Sequence, residues 1–376
     1  MKKRILNSLI LITIAMPATI MALTPGEGIV LDRNTGDYII SYANGVGKLM
    51  QSRFVPSTKI NPSLSSRFED YHGMTRYRYT IKNGSSSKQP LIGLIFDPVG
   101  NITSSSSLPK TSQDEYQAYK QLETSPAQLA QMVIDNSRIV DSPNGWSCEV
   151  MPAGDKEWAG YRIPCSFDDL DEKKLRGLQA GNSVAGFGFY SMDLPGVGVA
   201  QLEGFGDMGP SFVDAGPHGE ILNQLAVLQQ NDYVPRNAAV PTIAVPIPFD
   251  ATILLDRIRT HVATWPGKQL LDPAFAAQLD RYLVTATNAY RLNNTKAGRE
   301  NIESVRRLLE HEHKYLDHDD EDSDDTPEHK AATHLAIDRL AARVLDFDLR
   351  YVLKRMEKEH EHEHVDGDRK KEQESR

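Results

Sequence analysis

The chain has 376 residues, 51 acidic against 42 basic for a formal charge of −9, with 40% hydrophobic residues and two cysteines. That apolar content supports a sizeable core and excludes wholesale disorder, and the acidic balance excludes a general nucleic-acid binder, which needs a basic footprint. Two cysteines supply neither a disulfide-dense mini-scaffold nor a four-cysteine zinc site, and the length suits about two domains.

At the start, Lys2, Lys3 and Arg4 precede the apolar stretch Ile5 to Met16. Pro17 breaks that stretch, and Ile20-Met21-Ala22 offers a cleavage site before Leu23. This order predicts a secretory signal over residues 1–22. The apolar stretch is shorter than the roughly 20 residues of a membrane span and contains Asn7 and Ser8. The mature protein is expected to be periplasmic or extracellular, with no membrane span after cleavage. In such an oxidising space, Cys148 and Cys165 are expected to pair in one disulfide.

From residue 23 to about 240 the pattern has period two and is rich in Gly, Ser and Pro. In Arg76 to Lys82, Tyr77, Tyr79 and Ile81 share one face, as in a half-buried strand. Asn83-Gly84 follows with the chemistry of a tight turn, and Leu91 to Asp97 is a further strand. Gly28–Leu31, Tyr38–Tyr42, Met132–Val140, Trp146–Val150, Tyr161–Phe167, Ser183–Ser191 and Gly196–Glu203 complete the set. Short strands at this spacing predict an antiparallel sandwich. Capping-box patterns at Ser112-Gln113-Asp114-Glu115 and Ser125-Pro126-Ala127-Gln128 predict a short helical insertion near 112–136.

Three groups of residues carry a resemblance: Tyr77 to Ser87, Gly145-Trp146, and Gly181 to Phe189 with Leu194-Pro195-Gly196. Together they resemble uncharacterised bacterial secreted proteins with an immunoglobulin-like or fibronectin-III-like β-sandwich. The resemblance covers about residues 70–205. It implies a fold and an exported location, with Trp146 in the core and the glycines in turns.

Pro241, Pro246 and Pro248 mark residues 241–250 as an extended linker or a final strand. Beyond Asp250 the period becomes 3.6. Ile253, Leu254, Ile258 and Val262 form a first stripe. Asp272-Pro273 opens a helix to about Arg291 with Phe275, Leu279, Tyr282, Leu283, Ala286 and Tyr290 on one side. Thr295 opens a third, with Ile302, Val305, Leu308 and Leu309. Thr326-Pro327-Glu328 signals a fourth, running through Leu335, Leu340, Val344, Phe347 and Tyr351. The expectation is a small helical bundle over residues 251–356. This half loosely resembles helical modules at the C-terminus of secreted bacterial proteins.

Residues 298–376 hold 23 acidic and 15 basic side chains and eight of the 11 histidines. One cluster, the acidic His-rich loop 310–329, contains His311, His313 and His318. A second, in the charged tail 357–376, contains His360, His362 and His364. Imidazole with carboxylate suits Zn, Cu or Ni, and His360 and His364 lie one helical turn apart. The same clusters also read as solvated, self-repelling charge. The acidic run from Asp317 to Glu328 is a candidate calcium loop, but it has Asp322 where the EF-hand turn needs Gly.

No G-x-S-x-G elbow, P-loop or C-x-x-C is present. His360 to His364 matches H-E-x-x-H in a repetitive tail rather than on a buried helix. Gly204 to Gly209 matches G-x-G-x-x-G without a helix to follow. Asp168-Asp169 and Asp193 are the acidic residues nearest to plausible loops, while His72 and His218 read as surface histidines. No catalytic residue is assigned. The expected role is non-enzymatic binding of an unknown protein or surface ligand in the envelope or outside the cell. The alternatives are a divalent-metal-binding protein and a secreted hydrolase with a loop-assembled site.

Overall fold

The structure is a computed structural model. It describes residues 25–71, 73–100, 140–152, 161–167, 177–205, 219–230, 232–313 and 335–374. The signal, the helical insertion near 112–136, the strand expected at Met132, and the run from Asp317 to Glu328 lie outside these. Three antiparallel sheets and five helices are described, all five helices beyond residue 219 and four of them beyond residue 250. None of these helices is long and apolar enough to cross a membrane. The chain divides into two compact units, residues 1–57 with 206–232, and 58–205 with 233–376.

The first unit is a three-stranded meander, β1 (Gly28–Asp32), β2 (Asp37–Ala43) and β3 (Leu49–Phe54), with helix α1 (Glu220–Gln230) against it. The first turn is held by the Asp32 carboxylate, which accepts from the Asn34 N–H at 3.0 Å and the Thr35 hydroxyl at 2.9 Å. Ile221, Leu225 and Leu228 of α1 lie one turn apart and pack on Ile40, Tyr42 and Phe54. Asp232 ties the returning chain to the sheet by accepting from the Ser57 N–H at 2.5 Å. Neither β3 nor α1 is expected from the sequence. Leu-Met-Gln-Ser-Arg-Phe lacks alternation, and α1 follows a Gly- and Pro-rich stretch.

In the second unit, β4 (Pro62–Tyr71), β5 (Met74–Asn83) and β10 (Ser183–Ser191) form a sheet of order β10-β5-β4. The larger sheet contains β6 (Leu91–Val99), β7 (Trp146–Cys148), β9 (Tyr161–Phe167), β11 (Leu194–Gly204) and β12 (Val234–Ile243), in the order β12-β11-β6-β9-β7. In it, β8 (Met151–Pro152) pairs with β9. Tyr77, Tyr79 and Ile81 are all buried as their alternation requires, sharing one core with Phe96, Ile163, Leu202 and Val240 of the larger sheet.

Asn83-Gly84 does not close a hairpin. Neither residue has positive φ, and β5 and β6 belong to different sheets. Asn83 is buried and pins the crossing instead. Its amide donates to the carbonyls of Gln89 at 2.9 Å and Leu178 at 2.8 Å, and its Oδ1 accepts from the Ser87 hydroxyl at 2.5 Å.

The edge of the larger sheet is sealed by side chains. Val197 of β11 sits opposite Ala239 of β12, and the outward peptide groups of Ala239 meet the smaller sheet. Its N–H donates to the Ser66 hydroxyl at 3.1 Å, and its carbonyl accepts from the Tyr79 hydroxyl at 2.8 Å. Ala239 is therefore one of a non-hydrogen-bonded pair, and by alternation so are Pro195 opposite Pro241 and Gln201 opposite Pro235. That parity lets prolines occupy paired strands without removing a ladder donor. Residues 241–243, expected as linker or final strand, belong to β12.

Four helices follow: α2 (Ala251–Val262), α3 (Pro273–Arg291), α4 (Thr295–Glu312) and α5 (Arg339–Glu374). Asp250, Asp272 and Asn294 cap the first three through their side chains. The stripes of α3 and α4 are buried as expected, but in α2 Leu255 is buried and Ile253 is exposed. The Thr326-Pro327 signal lies outside the described residues, and the helix expected to run on through Leu335 is interrupted there. Residues 335–338 are not helical, Ile337 bridges to Leu271, and the Asp338 carboxylate accepts from the N–H groups of Leu340 and Ala341. The helices share a core with Val197, Ala239 and Ile243, so β12 is buried on both faces.

Replacing Tyr79 by Phe leaves the buried carbonyl of Ala239 without its donor, so it is expected to cost about 1–2 kcal/mol. Thermal unfolding should fall by a few degrees, with Tyr282→Phe on the half-buried side of α3 as the control.

Candidate functional site

Cys148 and Cys165 form the disulfide, directly opposite each other on β7 and β9 with a Cα–Cα distance of 4.0 Å. It fastens a three-residue edge strand. Trp146, at the start of that strand, is buried in edge-on contact with Phe167 and Phe187, at 5.6 and 5.2 Å between ring centroids.

The histidines expected as metal ligands fall in different settings. His311 is exposed near the end of α4, with Nδ1 at 3.9 Å from the Glu312 carboxylate. His313 is half-buried, and its Nε2 lies 2.9 Å from the Ile337 carbonyl. A ring nitrogen facing a carbonyl must donate, so this nitrogen carries the proton. Beside it, the Glu312 carboxylate accepts from the Ala336 N–H at 3.1 Å. Both side chains therefore fasten the chain entering α5. His318 lies outside the described residues. The backbone of α5 continues helically through positions 360, 362 and 364. Among the described residues, no group of three or more His, Cys, Asp or Glu is placed to hold a metal ion.

Asp168, Asp169, His72 and His218 also lie outside the described residues. Gly204 ends β11, and the rest of its glycine motif lies outside. Asp193 is buried in the turn between β10 and β11. Its N–H donates to the Ser191 hydroxyl at 2.9 Å, and its carbonyl accepts from the Tyr77 hydroxyl at 3.0 Å. These contacts fix the turn.

Two titratable groups stand out that the sequence reading missed. His261, near the end of α2, accepts the Val197 N–H on Nε2 at 3.1 Å, and Lys268 donates to the Val197 carbonyl at 3.4 Å. β11 runs past the end of β6 here, since β6 pairs only from Ala200 onward. The helical segment thus supplies partners that a strand would otherwise provide. A Cβ on Gly196 would lie 2.6 Å from His261 Nε2 and 2.7 Å from Thr242 Cβ, so only glycine permits this approach. Burial, with the Lys268 ammonium adding to it, pushes the imidazole down to about 4. The second group is Asp348 on α5, fully buried, whose carboxyl is pushed well above the ordinary range by desolvation. Its charge bears on Tyr77. Two signals were present in the sequence: His261 interrupts the apolar stripe of α2 that runs through Leu254 and Ile258, and Asp348 falls between apolar positions of α5.

Nearby Asp346, also buried, forms charge-assisted bonds. It accepts from Arg306 Nε of α4 at 2.8 Å and from Arg350 Nε at 2.6 Å. This pairing couples two helices.

His261 binds a proton in the unfolded chain below about 6.5 but in the folded chain only below about 4. Stability is therefore complete above pH 6.5 and is lost as pH falls toward 4, by about 3 kcal/mol. His261→Gln should flatten that limb of a stability–pH profile. Asp348 acts with the opposite sign. Its raised carboxyl costs nothing below the ordinary aspartate range and destabilises the fold as pH rises above it. Asp348→Asn should raise the melting temperature at pH 7, with the gain disappearing near pH 3.

Comparison with protein-family models, curated proteins and solved structures finds no match to this chain.

Proposed function

We propose that the chain is an exported, non-enzymatic interaction protein. In this reading the two sheets of the larger unit form an immunoglobulin-like sandwich, and the smaller unit presents a protein-binding surface. One observation carries the reading: large apolar side chains lie exposed on the small three-stranded unit. Val30 of β1 is 66% exposed and Val46 in the β2–β3 turn 87%, with Leu31, Leu49 and Met50 also exposed. On α1, Val227 is 60% exposed, opposite the stripe that packs on the sheet. Single exposed apolar residues are ordinary, but a concentration of them on one small sheet marks an association surface. β1 and β3 are the outer strands of that sheet, and outer strands offer peptide groups for strand addition.

Export is supported by the charge-and-apolar pattern of residues 1–22 and by the disulfide, a bond that persists in oxidising compartments. The sandwich reading is supported by the shared apolar core, in which the rings of Tyr79 and Phe96, from different sheets, lie 4.4 Å apart.

A photo-reactive residue placed at Val30 or Val46 should give covalent protein adducts in the envelope or medium of the producing cells. The same residue at Leu292, 79% exposed in the α3–α4 turn, should give none. Equal labelling at all three positions, or none at Val30 and Val46, would reject the surface.

A further inference from the structure

Strand β1 closes the small sheet on one side, and among the described strands only β2 pairs with it. Two hydrogen bonds fix which of its peptide groups point outward. The Asn44 N–H donates to the Lys48 carbonyl on the β3 side at 2.9 Å. The Ala43 N–H turns to the β1 side, where it donates to Glu27 Oε1 at 2.6 Å. By alternation Ser41, Ile39 and Asp37 bond to their partners Gly28, Val30 and Asp32. The N–H and C=O groups of Ile29 and Leu31 therefore lie on the outer edge. The side chains there are apolar, with Val30 66% and Leu31 47% exposed. An apolar outer strand of this kind is a template for another strand.

This strand is also complementary to itself. A two-fold axis through Val30 lays β1 of one copy antiparallel to β1 of another, with each residue opposite the one equally far from Val30. Ile29 then faces Leu31, and these are the residues whose peptide groups point outward, so each such pair exchanges both hydrogen bonds. Val30 faces Val30 in the closer pair that makes none. Asp32 faces Gly28, and Arg33 faces Glu27, so no like charges meet across the join. Arg33 is exposed, and among the described residues it is in no ion pair. On β3, the same operation about Gln51 sets the charged Arg53 against Leu49 and gains no such match. We propose that the chain forms a two-fold dimer through β1, its two small sheets joined into one. The inference rests on the interaction reading and names the partner of the small unit as a second copy of the chain. An unrelated strand finds the same peptide groups, but not a register in which apolar residues meet apolar ones and unlike charges meet.

The test is the mass of protein purified from the producing cells, followed by sedimentation over a range of concentrations. The mass is expected to rise from that of one chain to that of two. Leu31→Pro removes an outward N–H and none of the ladder to β2, a change that an outer strand accepts. It should leave a single-chain mass, with thermal melting confirming the fold. Arg33→Glu, in the exposed turn, places like charges in both symmetry-related pairs and should weaken dimerisation about tenfold. It decides the matter if the proline variant does not fold. Val30→Cys puts a thiol on the axis and should give a disulfide-linked dimer in air, as Cys148 and Cys165 link across β7 and β9. Val46→Cys, at a more exposed position in the β2–β3 turn, should not. A single-chain mass at every concentration, a dimer untouched by Leu31→Pro and Arg33→Glu, or equal linkage through positions 30 and 46 would overturn the proposal. A single-chain mass with Val30 still crosslinking to other proteins would overturn this inference alone and leave the interaction reading standing.

Discussion

The larger unit depends on one pair of residues that do not hydrogen-bond to each other. Val197 and Ala239 face across β11 and β12, and the register turns their four peptide groups outward. A buried peptide group without a partner costs more than a typical hydrogen bond contributes, so each outward group needs something to meet it. Ser66 and Tyr79 of the smaller sheet meet Ala239, and His261 and Lys268 of the helical segment meet Val197. Sheet, sheet and helices are joined through two residues whose own side chains are only aliphatic.

The same register explains other features of this region. Prolines stand at 195, 235 and 241, where no ladder N–H is required. Gly196 stands where a Cβ would strike both His261 and Thr242. Alanines at 238 and 239 let the two sides of β12 face separate cores, one between the sheets and one beneath the helices. The larger unit is thereby layered, with β12 serving both interiors.

Two buried ionisable groups give this frame opposed responses to pH. His261 is kept neutral by burial and by the N–H it accepts, so acid works against the fold there. Asp348 is held toward its neutral form by desolvation, so rising pH above the ordinary aspartate range works against it. Both groups belong to the packed frame of the larger unit.

Much of the fold was legible in local pattern. Alternation at Tyr77, Tyr79 and Ile81 determines which face of β5 is buried, because side chains in a strand alternate whatever lies above them. Asp250 and Asp272 identify helix starts, because a carboxylate capping the first N–H groups acts within one turn. The pairing of Cys148 with Cys165 followed from there being two cysteines and from the expectation of export. The sequence did not place β3, whose Leu49, Met50 and Gln51 are all exposed and show no period, or the true start of α5. Nor did it show that Asn83 pins a crossing between sheets, that His313 fastens the entry to α5, or that Val197 and Ala239 join three layers. Each depends on a partner distant along the chain: Leu178 for Asn83, Ile337 for His313, and Ser66 and His261 for the strand pair. Where the pattern is regular, as in β5, α3 and α4, local chemistry decided which residues are strand, helix and cap. Only the tertiary structure decided which donor meets which acceptor, because unmet peptide groups are satisfied by whatever the fold brings near.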